Sequence, residues 1–155
     1  MPSLQPVDES YFQTAQQRFE HTWVINRPAS EVWQEISGEK PLHWVTGLDI
    51  TWTSPVPRGV GATRTAKVLG LVQIQERFFI WEEGRRFSFY VEQANVPVFT
   101  SFAEDYLVEP EGSDRSRFTW RMAVTPSPLG KPGAPVNKLV AALAFRDTGR
   151  YFKAG

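Results

Sequence analysis

The chain contains no cysteine. That excludes a disulfide framework, a thiolate nucleophile and a cysteine-ligated zinc site. It also lacks a charge surplus, since seventeen basic and seventeen acidic residues cancel. Nothing in that balance favours nucleic acid or an anionic membrane as a partner. His21 and His43 are the only histidines, and neither has a sequence-local set of further ligands. No metal centre follows from them, and nothing in the sequence requires a cofactor. The longest apolar run, residues 139–145, is far too short to span a bilayer. The opening residues have no basic stretch leading into an apolar core, so they do not read as a secretory signal. The expectation is a cytoplasmic protein with no membrane span, a monomer or a homodimer.

What the chain has in abundance is aromatic surface: six Trp, eleven Phe and four Tyr among 155 residues. Rings in that number suit a lined cavity and suit a packed aromatic core equally well. A hydrophobic fraction of 41% is ordinary for a globular chain of this length. Residues 1–16 are polar and weakly periodic, and are read as an extension with at most a helical turn at its end. Residues 17–155 are read as a single domain. From residue 18 the apolar positions alternate with period 2, as in half-buried strands. Asn26 and Pro28 stop the first strand, and a short helix follows until Gly38. A second turn or short helix at 41–45 carries His43 and Trp44. Strands then follow at 48–53, 62–69, 72–82, after the turn at Gly84, at 98–109 and at 115–125. A proline- and glycine-rich connector, 126–135, leads into the only long helical pattern, 134–152.

Turn chemistry sets the registers. A tight turn at Gly70 pairs Val68 with Val72, Ala66 with Ile74, Arg64 with Glu76 and Ala62 with Phe78. A two-residue loop at Glu83-Gly84 would pair Ile80 with Phe87, Phe78 with Phe89 and Glu76 with Val91. The polar turn at 111–114 pairs Val108 with Phe118, Tyr106 with Trp120 and Glu104 with Met122. The result is an antiparallel meander with one face covered and the other wet. Val136, Leu139, Val140, Leu143 and Ala144 form the apolar stripe of the last helix, with Tyr151 in line.

At this point the chain resembles the polyketide cyclase/dehydrase branch of the START-like superfamily. Ile25, Pro28, Val32 and Trp33 match its strand-to-helix signature. Trp44, Gly59-x-Gly61-x-x-Arg64, Glu76 and Gly84-Arg85 follow in the family's order over about residues 17–152. The resemblance implies an α+β helix-grip fold, in which a curved seven-stranded antiparallel sheet with two short helices wraps a long C-terminal helix around a cavity. It also implies a hydrophobic or amphipathic small-molecule ligand of lipid, polyketide or aromatic type. Some members catalyse cyclisation or dehydration, but this branch carries no universal catalytic motif.

Several residues are candidates for chemistry. Arg64 and Glu76 oppose each other on an apolar inward face, where unpaired charges are costly. They read either as a structural ion pair or as the polar anchor of a ligand. Glu104 and Tyr106 form a second inward pair; a buried Glu104 would have a raised pKa and could serve as a general acid. In an enzyme, Glu76 or Glu104 would abstract a proton next to a carbonyl, and Arg64 or Tyr106 would stabilise the enolate. His21, inward beside Trp23, is the further titrating candidate. Trp44, Trp52, Phe78, Phe89, Phe102, Trp120 and Met122 are candidate walls, with Leu139 and Leu143 as helix contacts. Asp147 interrupts the helix stripe and is read as solvated where the helix overhangs the sheet, with pairing to Arg150 as the alternative. A third function class, a protein-interaction module, would use outward Val24, Phe79 and Trp81.

Overall fold

The computed structural model describes residues 3–128 and 134–155. Part of the connector expected at 126–135 therefore lies outside the described residues. Seven strands form one antiparallel sheet: β1 Gln17–Ile25, β2 Leu48–Trp52, β3 Thr63–Val68, β4 Val72–Glu82, β5 Arg86–Ala94, β6 Phe99–Pro110 and β7 Ser116–Pro126. Their order is β1-β7-β6-β5-β4-β3-β2. Consecutive hairpins run from β2 to β7, and β1 returns to flank β7. The helices are α1 Tyr11–Thr14, α2 Ala29–Ser37 and α3 Ala134–Phe152. This is the helix-grip arrangement. The stretch at 41–45 is a turn rather than a helix, with Leu42 buried at a φ of 56°. The other short helix is α1, at the end of the N-terminal extension.

Local chemistry explains the elements. Pro28 sits just before α2 with its φ at −58°, and Val32, Trp33 and Ile36 form the face that the helix buries. The helix ends where the Gly38 N–H donates to the Gln34 carbonyl. Between β3 and β4 the register is the expected one: Val68 opposes Val72, Ala66 opposes Ile74 and Arg64 opposes Glu76. The Phe78 N–H donates to the Ala62 carbonyl at 2.9 Å, which extends the same register. Between β6 and β7, Val108–Phe118, Tyr106–Trp120 and Glu104–Met122 also pair as expected.

The β4–β5 hairpin departs from expectation in one half. Glu76 opposes Val91 and Phe78 opposes Phe89, but Ile80 opposes Ser88 instead of Phe87. The loop holds three residues, Glu83 to Arg85, because Glu82 pairs with Arg86. Its turn needs Gly84 at a φ of 82°, a conformation that only glycine adopts freely. A bulge between Phe78 and Ile80 absorbs the extra residue. It also reverses the alternation, so Trp81 points inward, with its ring 5.2 Å from Phe87 and 6.0 Å from Trp33. Trp81 is therefore not part of an outward patch.

The outer face is not simply wet. Phe12 and Ala15 from the N-terminal extension pack with Ala103 and Ala123, and Val7, Tyr11, Phe79 and Tyr90 join them. Phe79, expected in an exposed patch, lies 6.2 Å from Phe12 in a stacked pair. Of the three residues suggested for a protein-docking patch, only Val24 is exposed. Below this layer Asp105 is buried and accepts hydrogen bonds from Ser88 Oγ and Arg86 Nε, while Arg86 also reaches Glu9.

The last helix is rotated relative to its apolar stripe. It buries Ala141, Ala144, Thr148 and Phe152, while Val136, Leu139, Val140 and Leu143 are exposed. Small residues share this contact with two rings of the helix itself, which meet rings of the sheet. Phe145 meets Trp120 at 5.6 Å, and Phe152 meets Phe118 at 6.4 Å. Gly149 lies against Trp23; a Cβ there would stand 2.8 Å from the Ala154 carbonyl and 3.2 Å from Trp23 Nε1. Asp147 is buried rather than solvated. It accepts the Thr46 N–H at 2.9 Å and pairs with Arg146, not Arg150. These bonds hold its carboxyl below the usual carboxylate range, the Thr46 N–H contributing most. They fix the last turns of α3 to the loop before β2.

These placements predict very unequal costs for two apolar truncations, read by urea unfolding. Phe87→Ala, at a fully buried position, lowers stability by about 3–5 kcal/mol. Leu139→Ala, on the exposed side of α3, changes it by less than about 0.5 kcal/mol.

Candidate functional site

The inner face of the sheet carries a polar cluster set among rings. β3 and β4 bring Arg64 opposite Glu76, and the Arg64 Nε–H donates to Glu76 Oε1 at 2.5 Å. Both side chains are almost fully buried. The guanidinium carbon lies 4.9 Å from the Phe89 ring centre, 5.0 Å from Phe78, 5.2 Å from Trp52 and 6.0 Å from Phe87. Four ring faces at that range stabilise a cation that has left water. One donor group is unused: among the described residues, Arg64 Nη1 is the buried side-chain nitrogen or oxygen with no hydrogen-bond partner. Such an atom in a dry site is costly unless something accepts from it.

β6 and β7 supply the second half. The Tyr106 hydroxyl donates to Glu104 Oε1 at 2.6 Å, and the Trp120 Nε1–H donates to the same oxygen at 2.9 Å. The Tyr106 and Trp120 rings stack at 5.1 Å. Tyr106 and Trp120 are buried, whereas Glu104 keeps part of its surface open. Burial raises the Glu104 pKa to about 7; the negative charge of Glu76 adds to the rise, while Tyr106, Trp120 and Arg64 oppose it. Burial raises the Glu76 carboxyl too, but the Arg64 guanidinium opposes that rise directly. Burial, with Glu104 beside it, also pushes the Tyr106 hydroxyl up, so it remains a donor. One guanidinium thus serves two carboxyls. Glu76 is in direct contact with it, and Glu104 titrates near neutrality.

This arrangement offers one unspent cationic donor and one carboxylic acid that titrates near neutral pH, both in an apolar setting. It can hold an oxygen of an otherwise apolar molecule, and it can give or take one proton.

The other sequence candidates are placed as follows. Phe78, Phe89, Trp120 and Met122 are buried in the main interior cluster, and Phe102 is partly buried against it. Leu139 and Leu143 stand on the exposed side of α3, 58% and 39% exposed, so they do not form its inner wall. Trp44 stacks on Tyr151 at 4.3 Å and donates to Thr148 Oγ1, away from the polar cluster. His21 lies elsewhere, with Nε2 3.2 Å from the Gly155 carbonyl. It borders a groove of about 650 Å³ between β1 and the end of α3, with Trp23, Phe145, Arg146, Arg150 and Lys153. A second groove of about 450 Å³ lies between Leu4, Val96, Phe99 and Ser127. Both hollows are open grooves rather than an enclosed chamber. Trp81, Phe87 and Leu4 belong to the interior and were not among the sequence candidates. Phe87 was legible from its alternation with Phe89; Trp81 was hidden by the bulge, and Leu4 by the lack of periodicity around it. Among the described residues no group of histidine and carboxylate side chains could hold a metal ion. No helix there is long and apolar enough to cross a membrane.

The sequence profile of a family described as polyketide cyclase / dehydrase and lipid transport matches residues 16–152. An uncharacterized protein of Mycobacterium tuberculosis is 30% identical over 141 residues, spanning 88% of this chain and 83% of its own length. Among solved structures, the Zhui aromatase/cyclase of a Streptomyces species superposes with a TM-score of 0.66 at 13% identity, over 88% of this chain and 89% of that one. A START superfamily protein of Mycobacterium smegmatis gives 0.67 at 14% identity, over 86% and 92%. At these identities the likeness is one of fold.

The raised Glu104 pKa carries a signed consequence. A carboxyl whose folded value exceeds its unfolded one holds an extra proton in the folded state. Its stabilising effect is complete below the ordinary value of 4.5 and is lost as pH rises through about 7. Glu104→Gln keeps a neutral side chain at every pH. The stability of the variant relative to the wild type therefore increases from about pH 5 to about pH 8, by on the order of 1–3 kcal/mol. Urea unfolding across that range reads the difference; a constant gap would show that Glu104 titrates as an ordinary carboxyl.

Proposed function

The chain belongs to the polyketide cyclase / dehydrase and lipid transport family, and from that premise we propose that it binds an amphipathic small molecule between α3 and the inner face of the sheet. The ligand class is a flat or chain-like apolar body bearing a carbonyl, hydroxyl or enol oxygen. The observation that carries this reading is the unpartnered Arg64 Nη1, buried within a ring of aromatic faces. A structural ion pair accounts for Arg64 Nε and Glu76, but it leaves that nitrogen unexplained. A ligand oxygen accepting from Nη1 would complete the cluster, and the rings would hold the apolar body.

A second reading, catalysis of cyclisation or dehydration, is favoured by Glu104. Its carboxyl titrates near neutrality and shares an oxygen with the Tyr106 and Trp120 donors. An acid or base with a pKa close to the working pH transfers protons most effectively. Protonated, it would donate to a leaving hydroxyl; ionised, it would take a proton from the carbon beside a carbonyl bound at Arg64. The developing enolate would then face the guanidinium. Under this reading Glu104 is the proton-transfer group, and Glu76 fixes Arg64 in place.

The anchor is tested with a hydroxyanthraquinone as probe, by fluorescence titration. Removing one member of a buried pair threatens the fold, whereas replacing both by apolar groups of like volume is often neutral. The double variant Arg64→Met/Glu76→Leu should therefore stay folded while its affinity for the probe falls at least about tenfold. Undiminished affinity in a folded double variant would exclude Arg64 as the anchor.

A further inference from the structure

The N-terminal extension meets a parting of the sheet. β5 and β6 pair only from Arg86–Leu107 to Tyr90–Ala103. Continued for three more residues, that register would set Gln93 opposite Thr100. Instead the strands diverge, and residues 3–5 lie between them. Ser3 forms a bridge with Gln93, the Leu4 N–H donates to the Glu92 carbonyl at 2.9 Å, and the Gln5 N–H donates to the Thr100 carbonyl at 3.1 Å. The short segment thus bonds to both diverging strands and meets part of their hydrogen-bonding need.

Register fixes which way its side chains point. Gln93 opposes Gln75, whose neighbours Ile74 and Glu76 are buried on the inner face. Gln93 and its partner Ser3 therefore face outward, and Leu4 faces inward. The packing agrees: Leu4 joins the main interior cluster along with Phe99 and Phe102. Val7, Tyr11 and Phe12, a few residues on, join the outer cluster. The extension lies on the outside of the sheet, yet it passes one aliphatic side chain through to the inside. The groove of about 450 Å³ opens beside that point, walled by Leu4, Pro97, Phe99 and Ser127. A short segment held by bonds of this kind opens locally at small free-energy cost.

We propose that the slit between β5 and β6 is a portal to the interior, that residues 3–5 are its removable plug, and that the apolar tail of a ligand enters where the Leu4 side chain now sits. This rests on the reading that the interior takes such a ligand. Leu4 then acts as a stand-in for the ligand's tail: it covers Phe99 and Phe102 when the site is empty and yields when the site is filled.

The absence of cysteine makes a lock unambiguous. Ser3→Cys/Gln93→Cys places two thiols at opposed residues of an antiparallel bridge, where Cα separations of about 4.5–5.5 Å suit a disulfide. The probe is 1-anilinonaphthalene-8-sulfonate, followed by stopped-flow fluorescence. Oxidation should slow its association at least about tenfold relative to the same protein reduced, and Leu4→Ser should speed association in the otherwise native chain. Equal rates for the oxidised and reduced forms would overturn the portal. Amide exchange of the wild type without probe is the second arm. The Leu4 and Gln5 amides should exchange at least about tenfold faster than the Phe89 amide in mid-β5. Exchange of all three only through global unfolding would overturn the plug, even with probe binding intact. Failure of the probe to bind either form would instead remove the interior site, and the portal with it.

Discussion

A single guanidinium buried among rings is the constraint on which the rest of the interior depends. Arg64 cannot shed its charge at any ordinary pH, so once β3 buries it, every neighbour must answer to it. Glu76 answers with a contact ion pair, and Phe78, Phe89, Trp52 and Phe87 answer with their faces. Glu104, buried and beside the Glu76 carboxyl, titrates near neutrality even though Tyr106 and Trp120 donate to it. The one thing left unanswered is Nη1. Buried ion pairs add little to stability against an apolar alternative, so an arrangement that keeps one and still leaves a donor unspent points toward recognition.

The packing around the cluster supports this division of labour. The aromatic side chains that would make the fold rigid by themselves, Trp23, Phe118, Trp120, Tyr106 and Phe87, form a continuous set of ring contacts beneath α3. The helix above them contributes two alanines, a threonine and the rings of Phe145 and Phe152. The helix is secured at its end by Asp147 on the Thr46 N–H and by Trp44 on Thr148. Nearer its other end the Asn137 side-chain amide donates to Gln17.

Much of the sheet was legible in the sequence because tight turns fix register and alternation fixes facing. Gly70 placed Arg64 opposite Glu76, and the turn at 111–114 placed Tyr106 opposite Trp120. What escaped had physical reasons. The loop at Gly84 holds one residue more than the shortest hairpin, and the bulge that compensates leaves no mark in the pattern, so Trp81 was assigned to the wrong face. The large aliphatics of α3 suggested its buried side, but the side turned to the sheet is the one that carries Ala141, Ala144, Thr148 and Phe152. Asp147 then found a backbone donor that lies 101 residues away in the chain. The N-terminal extension has no periodicity because it contacts both faces of the sheet, Leu4 the inner and Phe12 the outer.

The central claim is that the interior holds an oxygen-bearing apolar guest at Arg64. The most direct test is a crystal structure of the full chain grown with a saturating hydroxyanthraquinone. The account predicts density between α3 and the sheet, with a ligand oxygen within hydrogen-bond distance of Arg64 Nη1 and the ring body against Phe78 and Phe89. It is contradicted if the compound sits only in the groove beside His21 and Arg150, with Nη1 bonded to an ordered water instead.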